Sequence, residues 1–419
     1  MRADVDVLDL LATRRFAQIR DLFAPSLRSM VSADAIEVTW VAALETNGPV
    51  TEIGTPVREQ AGSGTAVVKI PVRFERGAAT VVMTVLDDGG WLTGLQLAPA
   101  SAAEPVRPWE PPDYADPARF VEQEVTVGHG PLAVPGTVSR PRSGSGTAVV
   151  LLAGSGPNDR DETIGRNKPF KDLAWGLASR GMTVLRYDKV TYAHPEKLGP
   201  HFTMADEYVP YAVAAVDLLG PDHDLVFVLG HSQGGTAAPR VAAAAPSIAG
   251  LVIMAGGTLP LHWAAVNQLR YLAALNPATA AASQHTIDVI TRQARTVDSP
   301  DLSPSTPERE LPFGAPAPYW LDLRTYDPVA VASAVRKPML ILQGGRDYQV
   351  TVAADLTGWR AGLGDRTDVT IRVYEPDNHL FFTGSGPSSP AEYEPAQHVD
   401  PTVVADIAEW LSRARLQQS

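Results

Sequence analysis

The chain has 419 residues, room for two or three domains, and its 45% hydrophobic content supplies ample material for a packed core. Its 35 basic residues face 47 acidic ones, a net charge of −12, which argues against nucleic acid and against an anionic membrane surface, both of which require clustered Lys and Arg. There is no cysteine, so disulfides, thiolate metal sites and a cysteine nucleophile are excluded.

Met1-Arg2-Ala3-Asp4-Val5-Asp6 carries acids where the apolar stretch of a secretory leader would begin. No apolar run approaches the ~20 residues of a membrane span. The expected location is the cytoplasm, with no membrane and no nucleic-acid partner.

Residues 1–98 read as a small α+β domain. Helical spacing (Leu8, Leu11, Phe16, Ile19, Leu22, Phe23) gives way to β-branched runs. Ala66–Phe74 and Ala79–Leu86 face each other across Glu75-Arg76-Gly77 as a hairpin, and Gly89-Gly90 leads to a last strand, Trp91–Leu97. No cluster of titratable groups converges here. The expected roles are scaffold, entrance cover or a surface for a homodimer.

Residues 99–117 carry prolines at 99, 105, 108, 111, 112 and 117 and are expected to form an extended linker.

From 118 to 419, strands and helices alternate, the pattern of a mostly parallel sheet with helices on both faces. The expected strands are Gln123–Val127, Ala133–Ser139, Thr147–Leu152, Met182–Tyr187, Leu225–Leu229, Leu251–Met254, Met339–Gln343 and Val369–Tyr374. Helices are expected at Phe170–Ser179, Tyr208–Leu219, Gln233–Ala244, Val352–Gly362 and Pro401–Arg413, the last opened by Asp400 as N-cap. Between about 259 and 327 no strand appears. Two helical patterns, Trp263–Leu275 and Thr279–Val297, precede a proline-rich stretch, and the whole reads as a lid insertion.

The strongest chemical signal is Gly230-His231-Ser232-Gln233-Gly234, a G-x-S-x-G between an apolar run and a helical one. Strand, sharp turn and helix is the context in which a serine becomes a nucleophile, with small neighbours letting the two backbones pass. A serine hydroxyl needs a base and an orienting acid. In a parallel sheet the useful groups lie just beyond the carboxyl ends of strands. His379 follows Val369–Tyr374 and is the candidate base, with His398 the alternative. His231, beside the nucleophile, is expected to pack or orient. Asp347, in Gly344-Gly345-Arg346-Asp347, is the candidate acid, its other reading being a turn or cap residue.

The oxyanion of an acyl-transfer intermediate needs N–H donors. They are expected from Gln233 and from Ser155, in Ala153-Gly154-Ser155-Gly156-Pro157. A phosphate-binding reading of that loop fails, because neither G-x-G-x-x-G nor GK[ST] is completed. Trp263, Tyr319 and Trp320 are candidates to line a substrate pocket or to pack the lid. The charged runs Asn158–Glu162 and Arg186–Lys189 lie at strand ends and stay unranked between substrate contact and ion-paired loops. No motif supports a metal site.

Taken together, LLAGSGPNDRDETIG (151–165), LRYDK (185–189), GHSQGG (230–235), APYWLDLRTYDP (317–328) and ILQGGRDYQV (341–350) resemble the dienelactone-hydrolase-like esterases of the α/β-hydrolase superfamily. More narrowly, the chain resembles bacterial carboxylesterases that carry a small N-terminal domain of the DUF3887 type. The resemblance implies an α/β-hydrolase fold and a serine esterase acting on short-chain carboxylic esters, with no metal or organic cofactor. It implies Ser232 as nucleophile, His379 as base, Asp347 as acid, and an oxyanion hole at Ser155 and Gln233. The open alternatives are an acyltransferase, a thioesterase or a lactone-forming cyclase using the same residues, then a peptidase, then a non-catalytic binding scaffold.

Overall fold

A computed structural model of the protein describes residues 3–24, 33–62, 65–86, 90–99, 109–144, 146–275 and 280–418. The chain divides into two compact units, Met1–Arg107 and Pro108–Ser419.

In the first unit, helices α1 (Ala3–Ala12), α2 (Phe16–Asp21) and α3 (Ala33–Asn47) accompany five antiparallel strands. These are β1 (Val50–Ile53), β2 (Val57–Gly62), β3 (Thr65–Phe74), β4 (Gly77–Leu86) and β5 (Leu92–Pro99). The expected hairpin is β3–β4, in unbroken register from Thr65↔Leu86 to Phe74↔Gly77. Alternation explains the face it buries: Ala66, Val68, Ile70, Val72 and Phe74 all point inward, against Leu11, Phe16, Ile19 and Trp40. Strands β1 and β2 are not marked in sequence because their polar residues (Thr51, Glu52, Arg58, Glu59) carry no hydrophobic alternation. Gly89 of the expected Gly89-Gly90 turn lies outside the described residues.

The expected linker differs in its second half. Residues 100–108 lie outside the described residues, but Trp109 Nε1 donates to Asp172 at 2.9 Å, and Tyr114 packs against Gly176 and Arg180. The aromatic side chains set among these prolines dock this segment onto the second unit.

That unit is an eight-stranded sheet of β6 (Phe120–Val127), β7 (Val134–Pro141), β8 (Thr147–Leu152), β9 (Thr183–Tyr187), β10 (Leu225–His231), β11 (Ile248–Met254), β12 (Met339–Gly344) and β13 (Val369–Tyr374). The spatial order is β13-β12-β11-β10-β8-β9-β7-β6, and all pairs are parallel except β6–β7 and β7–β9. β8, β10, β11 and β12 are almost wholly apolar because both faces are covered. Val150, Val228 and Ile341 face one core with α6 (Met204–Leu219), α7 (Gln233–Ala244), α11 (Pro328–Ala334) and α12 (Thr357–Leu363). Leu151, Leu229 and Leu342 face the other, with α4 (Pro169–Ala178) and α13 (Pro401–Gln418). A short α5 (Val190–Ala193) follows β9.

Helix α6 starts four residues before its expected first residue, because Thr203 and Asp206 form a reciprocal capping box. The expected helix at Val352–Gly362 is a π-type turn, Val352–Leu356, running into α12.

The insertion contains α8 (Leu261–Leu275), α9 (Ala280–Asp298) and an unexpected α10 (Ala317–Thr325). Pro316 caps α10 and Pro318 sits in its first turn, where no intrahelical N–H is required, so this part of the proline-rich stretch is helical.

Candidate active site

Everything chemical gathers where β8, β10, β12 and β13 end. Ser232 stands between β10 and α7 with φ +53° and ψ −121°, a left-handed backbone that a non-glycine residue holds only under constraint. Its N–H donates to Met254 O at 2.9 Å. The approach of strand to helix is closer than any side chain allows: a Cβ on Gly230 would lie 2.2 Å from Gly234 O, and one on Gly234 would lie 2.1 Å from Leu152 O. This is the physical reason for both motif glycines.

His379 Nδ1 and Asp347 Oδ2 are 2.7 Å apart, and both side chains are buried. Asp347 is immobilised on every side. Its Oδ1 accepts from the N–H of Gln349 (2.8 Å) and Val350 (3.0 Å), and its Oδ2 also accepts from Gln343 Nε2 (3.1 Å). The loop holding His379 is folded around Asn378, whose Oδ1 accepts from the N–H of Leu380 (3.0 Å) and Phe382 (3.1 Å). The alternative base goes elsewhere. His398 Nδ1 meets Asp172 Oδ1 at 3.1 Å, and its ring stands edge-on to Trp109, a structural junction with α4.

The loop after β8 is held by its carbonyls. Asn158 Nδ2 donates to Gly154 O and Ser155 O, both at 3.0 Å. Lys189 Nζ donates to Gly154 O at 2.7 Å. The Tyr208 hydroxyl lies 2.9 Å from Ala153 O and 3.0 Å from Gly154 O. With these carbonyls engaged, and Gly154 N–H given to Glu162 Oε1 at 2.6 Å, the next amide, that of Ser155, is the loop's candidate donor. Gln233 N–H opens α7, where the first amides have no intrahelical acceptor.

Lys189, Glu207 and Tyr208 were not singled out by sequence. The run Arg186–Lys189 is conspicuously charged in sequence, but no local pattern separates its ion-paired members from the one that reaches the site. Asp188 pairs with Arg160, and Arg186 with Asp161 and Glu122. Lys189 instead pairs with Glu207 at 3.0 Å, and both side chains are buried. Burial pushes the Lys189 ammonium below its ordinary pKa while the Glu207 carboxylate opposes that shift. Glu207 Oε2 accepts from the Tyr319 hydroxyl (3.0 Å), which accepts from Gln233 Nε2 (2.8 Å). A buried chain of polar contacts thus runs from the loop after β8 to α10 and back to Gln233.

Ser155, Ser232 and Gln233 line a cavity of about 1180 Å³, shared with Phe202, Leu259, Phe313, Tyr319 and Trp320. Asp347 and His379 do not line it. Two of the three aromatic candidates are in place. Trp263 is not: its Nε1 donates to Asp298 Oδ2 at 2.7 Å, and its helical neighbour His262, bonded to Asp298 Oδ1 at 2.9 Å, lines the cavity instead. Adjacent helical residues lie about 100° apart, and here His262 turns to the cavity while Trp263 turns to Asp298. Among the described residues no group of three His, Asp or Glu could hold a metal ion.

Residues 162–383, more than half the chain, match the Hydrolase_4 family, described as serine aminopeptidase, S33. The chain belongs to this α/β-hydrolase family. The family member is 39% identical to esterase EstD of Thermotoga maritima over 349 residues, 82% of this chain and 79% of that one. Solved structures similar to it include the esterase Pf2001 of Pyrococcus furiosus (17% identity, TM-score 0.45, 74% of this chain and 99% of that chain). Another is Est1E of Butyrivibrio proteoclasticus (15% identity, TM-score 0.43, 70% and 98%). No described helix of this hydrolase is long and apolar enough to cross a membrane.

Proposed function

We propose that this hydrolase cleaves carboxylic esters through a covalent acyl-enzyme on Ser232. The observation that carries the reading is the strained Ser232 turn opening on a cavity at the strand ends where the His379–Asp347 pair is anchored. His379 Nε2 takes the Ser232 proton as Oγ attacks the ester carbonyl carbon, and Asp347 holds the tautomer that leaves Nε2 free to do so. The negative charge passes to the carbonyl oxygen, facing the N–H groups of Ser155 and Gln233. The C–O bond to the alcohol then breaks, the alkoxide takes the proton from His379, and water repeats the sequence to release the acid. The 39% identity to an esterase supports this reaction class.

The resemblance points to short acyl chains, and the cavity leaves room for a larger alcohol. Five carboxylates line the cavity: Glu207, Asp298, Glu308, Asp327 and Asp355. Glu207 is spent on Lys189 and Tyr319, and Asp355 accepts from the N–H of Thr351, Thr258 and Leu259. The family description also covers aminopeptidases, which must capture a free ammonium. Asp298 is held by His262 and Trp263, and Asp327 by the N–H groups of Val329 and Ala330, which leaves Glu308 as the carboxylate that would meet a substrate ammonium; the anilide arm of the test separates the two readings.

The test is intact-protein mass after fluorophosphonate treatment of the parent, Ser232→Ala and His379→Ala, with turnover of p-nitrophenyl esters of increasing chain length and of an aminoacyl-p-nitroanilide. Labelling of the parent at Ser232 with ester turnover is expected. Labelling with anilide turnover alone would replace esterase by peptidase. A folded parent that takes no label would overturn the serine mechanism.

A further inference from the structure

His231 and Glu162 are buried beside the nucleophile, and the mechanism above uses neither. Glu162 Oε1 accepts from Gly154 N–H at 2.6 Å and from His231 Nδ1 at 3.0 Å. His231 Nε2 lies 2.9 Å from the backbone oxygen of His379. A carboxylate and a carbonyl only accept, so both ring nitrogens carry hydrogen and the ring is an imidazolium. We propose that Glu162 and His231 are positioning residues, a charged clamp that fixes the oxyanion loop and the loop of the base to the residue preceding Ser232. The inference rests on the ester-hydrolase reading of Ser232, His379 and Asp347.

Three observations separate this from ordinary core packing. First, the pair joins three elements: Glu162 Oε1 holds the loop after β8 at Gly154 and the end of β10 at His231, and His231 holds the loop of the base. Gly154 is pressed so tightly between them that a Cβ there would lie 3.0 Å from Glu162 Oε1 and 3.1 Å from Ser232 Cβ. Second, Glu162 holds its place with φ +52°, strained for a long side chain, and its Oε2 is buried with no partner among the described residues. Third, a buried ion pair contributes little net stability compared with apolar side chains of the same volume, so stability alone does not account for it. Burial disfavours the charged ring; the Glu162 carboxylate and the His379 carbonyl nevertheless hold its pKa above the ordinary histidine value.

The arrangement has an electrostatic side. The His231 and His379 rings are 4.8 Å apart between centroids. Facing His231 are the carboxylates of Glu162, after β8, and Asp347, after β12, while α4 contributes only the uncharged Phe170 ring. The cation is therefore a fixed positive charge beside the base.

The experiment compares Glu162→Gln with the parent and with Ser232→Ala. Glu162→Gln keeps the shape and removes the charge that sustains the imidazolium. Neither residue lines the cavity, so KM should stay within about 3-fold, while kcat falls about 10- to 100-fold through loss of alignment. An unchanged KM beside a lowered kcat is the readout that a merely structural role would not produce. A folded Glu162→Gln with kcat within about 2-fold of the parent, or with KM and kcat changed together, would overturn the clamp and leave the serine mechanism intact. Activity surviving in Ser232→Ala would instead overturn the mechanism beneath it. If Glu162→Gln does not fold, His231→Gln, which cannot bridge Glu162 and His379 at once, is read by the same criteria. Failure of both to fold would assign the pair to the core and overturn the proposal.

Discussion

Lys189 Nζ donates to the carbonyl oxygen of Gly154 at 2.7 Å, so a lysine beyond β9 sets the conformation of the loop beyond β8. The same ammonium is the partner of buried Glu207. Lys189→Met therefore removes two supports at once. Stability should fall by about 3–5 kcal/mol, the cost of stranding a buried charge, when measured by urea titration. The double variant Lys189→Met/Glu207→Gln should recover at least half of that loss but not the full activity, because Gly154 O keeps Asn158 and Tyr208 but lacks its shortest and only charged donor.

Asp347 uses both oxygens as acceptors, one for two backbone amides and one for His379 and Gln343. An amide has one acceptor oxygen. Asp347→Asn must therefore present an NH2 either to His379, which then loses the tautomer it needs, or to the N–H groups of Gln349 and Val350, which then lose the acceptor that fixes the side chain. The expected result is a ~10³–10⁴-fold drop in kcat with the protein still folded by circular dichroism.

Gly234→Ala places a methyl group 2.1 Å from Leu152 O, a main-chain atom in the middle of the sheet. No rotamer relieves that overlap, and the variant should be recovered only as insoluble protein. Gly199→Ala meets nothing within 4 Å and should be indistinguishable from the parent in solubility and melting temperature.

Asp377 is fully buried; burial and, after it, the neighbouring Asp400 raise its pKa to about 6. The folded protein therefore holds a proton that the unfolded chain has lost between about pH 4 and pH 6. The contribution of Asp377 to stability is most favourable below pH 4, falls as pH rises to 6, and carries the full cost of the buried charge above that. Asp377→Asn removes the cost, so it should melt at a higher temperature than the parent at pH 8 and at a similar one near pH 4. A melting series across that range checks the crossover.

The parts of the second unit with a strong periodic or punctuated signal were legible in sequence. Strands β8 and β13 and helix α7 have their expected boundaries, because apolar runs and flanking turn residues mark them on both sides. The same logic points to Asp347 and His379 as residues just past strand ends, and the structure brings them within hydrogen-bond distance. What escaped was carried by long-range pairing. The meeting of Lys189 with Glu207, or of Glu162 with Gly154 and His231, depends on which strand ends are neighbours in the sheet, and no local spacing encodes that order. Helix α10 escaped for the opposite reason: its prolines read locally as breakers, although they occupy the positions at a helix start where proline is favoured. Trp263 was displaced by one residue of helical phase, the finest distinction an unaligned sequence can be asked to make.

Tyr319 belongs to the insertion, yet its hydroxyl is the bridge between Glu207 and Gln233. The insertion is therefore not an interchangeable cassette. Grafting a relative's insertion onto this scaffold to alter selectivity would import new walls and also cut the buried relay unless a tyrosine arrives in register. Chimeras meant only to change what the enzyme accepts would then change how fast it turns over, and a single restored phenol would separate the two effects.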